Sequence, residues 1–178
     1  MKRTTGIGLF VGAMLCLTMP KYGSGQSAKL TDPEIASVAV VANQNDIDFA
    51  NIALKKSSNA DVKQFAQTMA ADHKAVIDQA VALVTKLNVT PKDNSTSQSL
   101  KSSAASTVDK LNAASGAAFD KAYIDNEVAY HQAVITEVET VLIPQAQNAE
   151  LKALLQSALP TFKTHLEHAQ MVQGKVGK

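Results

Sequence analysis

The chain has 178 residues, about one domain's worth, with 17 basic residues, 16 acidic residues and a single cysteine. The only Cys and the only Arg lie within the first 25 residues. A chain that begins after this segment would have no disulfide, no thiolate chemistry and no basic cluster, which makes it a poor candidate for binding nucleic acid.

The first 25 residues have the pattern of a secretory signal peptide. Lys2 and Arg3 precede an apolar run over residues 6–19, and small residues follow it. Because the run is short for a bilayer crossing, we expect a cleaved signal over residues 1–25 rather than an uncleaved anchor. We therefore expect an exported, periplasmic protein with no transmembrane segment after cleavage, a linker over residues 26–31 and a frayed tail over residues 175–178.

Four long segments of the remaining chain carry apolar residues at helical spacing. Asp32, Pro33 and Glu34 form a helix start, with Asp32 as the N-cap. Pro144 should end or kink the third long helix, and Pro160 should bend the fourth. The predicted helices cover residues 32–56, 59–87, 119–142 and 148–173.

The connections between these helices predict the topology. Two links are short, which favours antiparallel hairpins, whereas the middle connection of about 30 residues can cross the length of a bundle. Within it, residues 88–96 read as a loop and residues 98–112 as weakly helical. We predict an all-α, ferritin-like four-helix bundle over residues 32–174. Its two hairpins are joined by a long crossover that carries a short extra helix.

Each long helix has one titratable residue within its apolar stripe, near the middle of the helix. Counting residues from the hairpin turns at a rise of about 1.5 Å per residue places the four at similar heights. This predicts one polar layer at mid-bundle. Asp46 has an alternative position at the edge of its stripe, facing water. The four residues are Asp46, His73, His131 and His165.

The composition of this layer suits a transition-metal ion. Imidazole and carboxylate ligands together bind Zn, Fe, Mn or Cu. Glu127 lies one helical turn before His131 and could share the ligand shell with Asp46. Asp120 and Tyr123 would lie behind the ligands and orient them. The Glu-x-x-His pairs of di-iron carboxylate bundles are missing from the sequence, which disfavours ferroxidase chemistry and iron storage.

Two other readings of the polar layer stay open. The layer could be only a hydrogen-bond network that sets helix register in a non-catalytic, stress-related envelope protein. An enzyme, metal-dependent or not, is the third alternative, but no residue pattern names a substrate. The sequence has neither a Gly-x-Ser-x-Gly nucleophile motif nor a Gly-rich phosphate loop.

A set of residues with family-like spacing extends along nearly the whole predicted bundle. These residues are Asp46, Ile47, Ala53, Leu54, Asn59, residues 62–66, Met69, Asp72, His73, Leu111, residues 116–120, Tyr123, His131, Leu159, Pro160 and His165. Together they resemble one bacterial family, known as domain of unknown function 4142. The resemblance covers roughly residues 33–173 and implies an exported protein with a ferritin-like four-helix fold. Members are often labelled outer-membrane proteins, and the family implies no settled activity. The family usually has Glu where this chain has Asp46.

Overall fold

The computed structural model describes residues 29–176, and the predicted signal peptide lies outside them. The described part consists of helices and their connections, so the predicted all-α four-helix bundle is confirmed. The helices are α1 Asp32–Lys56, α2 Ala60–Lys86, α3 Ser95–Ala113, α4 Gly116–Glu137, a π-helical turn Val138–Leu142, α5 Ile143–Gln145 and α6 Ala149–Gln173. The four long helices of the bundle are α1, α2, α4 and α6, and α3 lies in the crossover.

Asparagine side chains start three of the helices. Asn59, Asn94 and Asn148 each accept hydrogen bonds from two backbone amides in the first turn of the helix that follows. These amides have no partner within their own helix, and the short Asn side chain supplies one. The sequence therefore fixes the starts of α2, α3 and α6 locally.

The start of α1 differs from the prediction. The N-cap is Thr31, not Asp32, and Thr31 donates its backbone amide to the Glu34 carboxylate at 2.9 Å. Asp32 accepts the backbone amides of Gln147 and Asn148 at 2.8 and 2.9 Å. Its carboxylate thus joins the start of α1 to the start of α6, a long-range contact that local sequence patterns do not reveal.

The two hairpins pack side by side, and the crossover helix covers one face. Helix α1 packs mainly on α2, α4 packs mainly on α6, and α2 contacts α6. Helix α3 lies against α1 and α4 and is longer than the expected short helix, at 19 residues. At its far end, the Lys56 ammonium donates to the carbonyls of Leu111 and Asn112 at 2.8 and 2.6 Å.

The interior contains two apolar clusters with polar residues between them. One cluster includes Phe49, Met69 and Ile124, and the other includes Val38, Leu155 and Phe162. Along each long helix the buried titratable residue lies between the residues of the two clusters. Within the described residues, no helix combines the length and hydrophobicity that a bilayer crossing needs.

Candidate metal centre

The polar layer draws one or two buried side chains from each long helix. Asp46 is 0% exposed, so the alternative that placed it at a water-facing edge is wrong. The other residues are likewise buried, and apolar residues of both clusters surround them. The layer consists of Asp46 from α1, His73 from α2, Glu127 and His131 from α4, and His165 from α6.

The three imidazole rings lie against one another at a single depth of the bundle. The ring centroids of His73 and His131 are 5.5 Å apart, and those of His73 and His165 are 5.1 Å apart. The centroids of His131 and His165 are separated by 5.5 Å. One ring nitrogen from each histidine lies within 4.8 Å of the other two, the spacing of a ligand set that can close around one ion.

An amide side chain fixes the tautomer of His73. Asn43 donates its Nδ2 amide to the Ala39 carbonyl at 2.7 Å, which turns the Asn43 Oδ1 atom towards the imidazole. His73 Nδ1 lies 2.8 Å from that oxygen and must carry a proton to bind it. The His73 Nε2 atom is therefore left with a free lone pair, the state that a metal ligand needs.

The other two histidines also donate one ring nitrogen to a protein acceptor, although the acceptors differ. His131 Nδ1 lies 3.0 Å from the backbone carbonyl of Glu127, so this nitrogen donates. His165 Nε2 lies 2.9 Å from the Asp72 carboxylate and also donates. In residues 29–176, the three remaining ring nitrogens are buried without a hydrogen-bond partner. They are His73 Nε2, His131 Nε2 and His165 Nδ1.

Two buried carboxylates complete the layer. Asp46 Oδ2 lies 3.4 Å from His73 Nε2 and 3.6 Å from His131 Nε2. Glu127 Oε2 lies 3.6 Å from His131 Nδ1. Among the described residues, neither carboxyl group has a hydrogen-bond partner. A buried ionised carboxylate is costly without a partner, so a cation or a proton must neutralise each group.

Burial shifts the pKa of every group in the layer towards its neutral form. Desolvation raises the pKa of Asp46 to about 8 and that of Glu127 well above its usual range, and the nearby Asp46 charge raises the latter further. Desolvation lowers the pKa of His131 to about 4, and it also depresses the pKa values of His73 and His165. At neutral pH the imidazoles are ready to bind a metal without losing a proton.

A cavity of about 10 Å³ lies against these donors, with Asp46, His73 and His131 in its wall. This is about the smallest volume that holds a single water molecule or ion. The cavity adjoins three of the donor residues, whereas His165 and Glu127 are not part of its wall.

The hydrogen bonds to the histidine side chains of the layer come from residues that the sequence did not predict. Asp120 and Tyr123 are buried, but no hydrogen bond joins either of them to the five donors in the described part of the chain. The contacting residues are Asn43 and Asp72. Asn43 lies three residues before Asp46 on the same helix face, a spacing that could have pointed to it. Asp72 directly precedes His73 yet binds His165, which sequence spacing cannot show.

This chain is similar to one protein family and to solved structures of helical bundles. The family model described as "Domain of unknown function (DUF4142)" matches residues 18–172. A search of curated proteins finds no match. The solved structure of CopM in the Cu(II)-bound form is 18% identical with a TM-score of 0.62, covering 82% of this chain and 98% of CopM.

A second solved structure is a secreted DUF305 protein from Streptomyces coelicolor. It is 10% identical, with a TM-score of 0.69, and the alignment covers 81% of this chain and 92% of that one. At these identities the likeness establishes a shared helical-bundle fold.

Proposed function

The chain belongs to the DUF4142 family, and we propose that it binds one divalent transition-metal ion inside its bundle. The ligands are His73 Nε2, His131 Nε2, His165 Nδ1 and one oxygen of Asp46. Glu127 lies beside this set and is available as a further oxygen ligand, since Asp46, Glu127 and His131 also form a group of donors within 4.8 Å.

The observation that supports this proposal is the set of unpartnered nitrogens. Each histidine uses one ring nitrogen as a donor to a protein acceptor and leaves the other bare, in the described residues. Buried polar atoms without partners each cost about 1–3 kcal/mol. An ion that all of these groups bind explains three such nitrogens beside two unpartnered carboxylates better than a hydrogen-bond network does.

The alternative, a hydrogen-bond layer that only sets helix register, fits this geometry less well. Such a layer should satisfy its own donors and acceptors, as buried polar networks generally do. Here the acceptors face one another, and the buried lone pairs of the imidazoles and of Asp46 lack donors within residues 29–176. A single proton on Asp46 can be donated to only one of the bare ring nitrogens at a time, whereas a cation can bind all of them together.

The ligand types favour copper or zinc among Zn, Fe, Mn and Cu. Imidazole nitrogens suit Cu, Zn and Fe, whereas Mn prefers oxygen-rich sites, and affinity rises towards copper along the divalent series. The Cu(II)-bound form of CopM gives this preference a precedent in a bundle of similar fold. We therefore expect Cu(II) and Zn(II) to bind more tightly than Mn(II) or Fe(II).

Elemental analysis of protein purified without a histidine tag tests the proposal. We expect close to one equivalent of a transition metal, or uptake of one equivalent after Cu or Zn is added to chelator-treated protein. Less than about 0.1 equivalent, together with no thermal shift when Zn, Cu, Mn or Fe is added, would exclude the site.

Export is the second part of the proposal. It rests on the basic, apolar and small-residue pattern of residues 1–25. Mass spectrometry of the protein from fractionated cells should find a chain that begins near residue 26 in the periplasmic fraction, with outer-membrane association as a further outcome to check. An intact N-terminus in the cytoplasmic fraction would contradict it.

Removal of the acceptor for His165 should weaken metal binding without unfolding the protein. In Asp72→Asn an uncharged amide oxygen replaces the carboxylate as the acceptor of the Nε2–H of His165 and binds it less strongly. The His165 Nδ1 atom therefore becomes a weaker and less well oriented ligand. Changes of this kind typically cost 10–100-fold in metal affinity. Competition against a chromogenic chelator measures the change. Asp78→Asn, an exposed carboxylate on the same helix paired with Lys74, is the control and should leave the affinity unchanged.

A further inference from the structure

A large apolar cavity occupies the half of the bundle on one side of the polar layer. Its volume is about 520 Å³, within the range of small-molecule sites. Helices α1, α2, α4 and α6 supply most of its apolar walls, and residues of α3 line the rest of it. A well-packed core has few voids larger than a water molecule, so a space of this size needs an explanation.

The cavity reaches the candidate metal centre. Asn43, Tyr130 and Phe162 line both this cavity and the small space beside the ligands. The Tyr130 hydroxyl donates to the Ala42 carbonyl at 2.9 Å and so joins α4 to α1 at the boundary. An occupant of the large cavity would therefore end against the residues that surround the ligands.

The shape of the cavity excludes a peptide helix or a second copy of the chain. Its wall on α6 extends from Leu151 to Phe162, which corresponds to roughly 16 Å at the rise of an α-helix. Wall residues such as Leu155 and Ala158 are buried between the long helices. A helix with side chains is about 10 Å across, so a length of about 16 Å of it would occupy roughly 1,250 Å³, more than twice the volume of the cavity. A single alkyl chain is narrow enough to enter.

The lining also restricts the charge of the occupant. No Lys, Arg or His lies among the described residues of the cavity wall, and Glu137 is its only charged side chain. Helix α3 contributes hydroxyl groups to the wall, and three of them are exposed to solvent. The hydroxyl residues are Ser95, Thr96, Ser99 and Ser103, of which all but Thr96 are exposed. Asn94 already accepts the amides of Thr96 and Ser97, so these two amides are not free to bind an anion. The wall thus favours an uncharged head group that exchanges hydrogen bonds with hydroxyls.

We propose that this cavity binds a slender, uncharged amphiphile of the long-chain alcohol class, with an alkyl tail of about dodecyl length. The tail lies between the long helices and reaches the wall formed by Asn43, Tyr130 and Phe162. The hydroxyl head lies at the α3 side. This site does not depend on the proposed metal, because the walls of the large cavity contain none of the ligands.

Displacement of the neutral fluorescent probe N-phenylnaphthylamine from the purified protein tests the proposal. At pH 8 we expect dodecanol to displace the probe at a concentration at least about tenfold lower than dodecanoate does. Glu137→Gln should reduce the difference between the two displacing concentrations, because it removes the negative charge that disfavours the carboxylate of dodecanoate. Equal displacement by both compounds, or tighter binding of dodecanoate, would overturn the proposal.

A matched pair of variants locates the binding. Ala158→Phe projects a ring into the cavity and should weaken dodecanol binding at least tenfold, whereas Ala153→Phe, at an exposed position of the same helix, should not. Equal losses in the two variants would indicate surface binding and contradict the site. Methyl NMR of the unaltered protein gives a test that needs no variant. Dodecanol should shift the methyl signals of Leu154 and Leu155, and unchanged signals would count against the proposal.

Discussion

His131→Leu is expected to abolish metal-induced stabilisation while the bundle still folds. The imidazole of His131 belongs to both donor groups, and its loss removes one of three nitrogens from a set buried among apolar residues. We expect the affinity for Cu(II) or Zn(II) to fall by more than about 100-fold, beyond what the loss of an orienting residue costs. Leu has a similar volume and removes one buried ring nitrogen that has no partner in the described residues, so the metal-free variant should be as stable as the original chain or more stable.

Thermal unfolding with and without metal measures the effect. Metal at a thousandfold excess over Kd stabilises a folded protein by about 4 kcal/mol. For a chain of this size that corresponds to a rise in Tm of roughly 8–16 °C. The variant should show almost none of this rise.

The fourth histidine supplies the control for this experiment. His168 packs its ring against Phe65, with centroids 5.1 Å apart, and belongs to neither donor group. His168→Leu should therefore keep the metal-induced rise in Tm. The proposal would be wrong if His131→Leu kept the full rise, or if both variants lost it equally.

The second large effect concerns the metal-free protein, whose stability should fall as the pH rises from 6.5 to 8. Burial raises the pKa of Asp46 from 3.8 to about 8, so the folded chain keeps a proton that the unfolded chain has released. Folding then takes up a proton throughout this window, and stability falls with increasing pH. The expected loss from Asp46 alone is about 1.4 kcal/mol per pH unit well below pH 8. Glu127, whose pKa is also raised, acts in the same direction.

From pH 6.5 to 8 the acids outweigh the histidines, because an unfolded histidine loses its proton around its ordinary pKa of 6.5. The lowered pKa of His131, about 4, makes the unfolded chain bind more protons below pH 6.5 and gives the opposite slope there. Urea unfolding in the presence of a chelator, at intervals from pH 6.5 to 8, measures the slope. Asp46→Asn should make the fall in stability with pH shallower, because the contribution of Asp46 is then absent while those of Glu127 and of the three histidines remain.

Asp78→Asn again provides the matched control, because Asp78 is exposed and paired with Lys74 on the surface of α2. Its slope should equal that of the original chain. A metal-free protein whose stability stays constant or rises over this window would contradict the pH prediction, as would an unchanged slope in Asp46→Asn.

The depth of the candidate site in the bundle could be predicted from the spacing of residues along the chain. Asp46, His73, His131 and His165 each lie in an apolar stripe near the middle of a long helix, and counting residues from the turns predicted their common depth. The structure places the three imidazole rings at one depth. Their roles as metal ligands stay predictions, to be decided by the metal-content and His131→Leu experiments.

The groups that orient these rings could not be predicted by counting residues along the chain. Asn43 binds His73 across the α1–α2 hairpin, and Asp72 binds His165 across the interface of α2 and α6. Such contacts depend on how two helices are rotated against each other, and the apolar pattern fixes that rotation only to within the width of a stripe. The sequence therefore suggested Asp120 and Tyr123, which are on the same helix as His131 but make no hydrogen bond to the donors among the described residues.

The sequence by itself determined the helices, most of their starts, the order of the hairpins and the presence of titratable residues within apolar stripes. These features follow from local hydrogen bonding and from a periodicity that each segment carries alone. Only the tertiary structure decided which nitrogen of each histidine is free, how deeply Asp46 is buried, and that a cavity adjoins the layer. Each of these depends on atoms from several helices meeting in space, and no single segment of the chain contains that information.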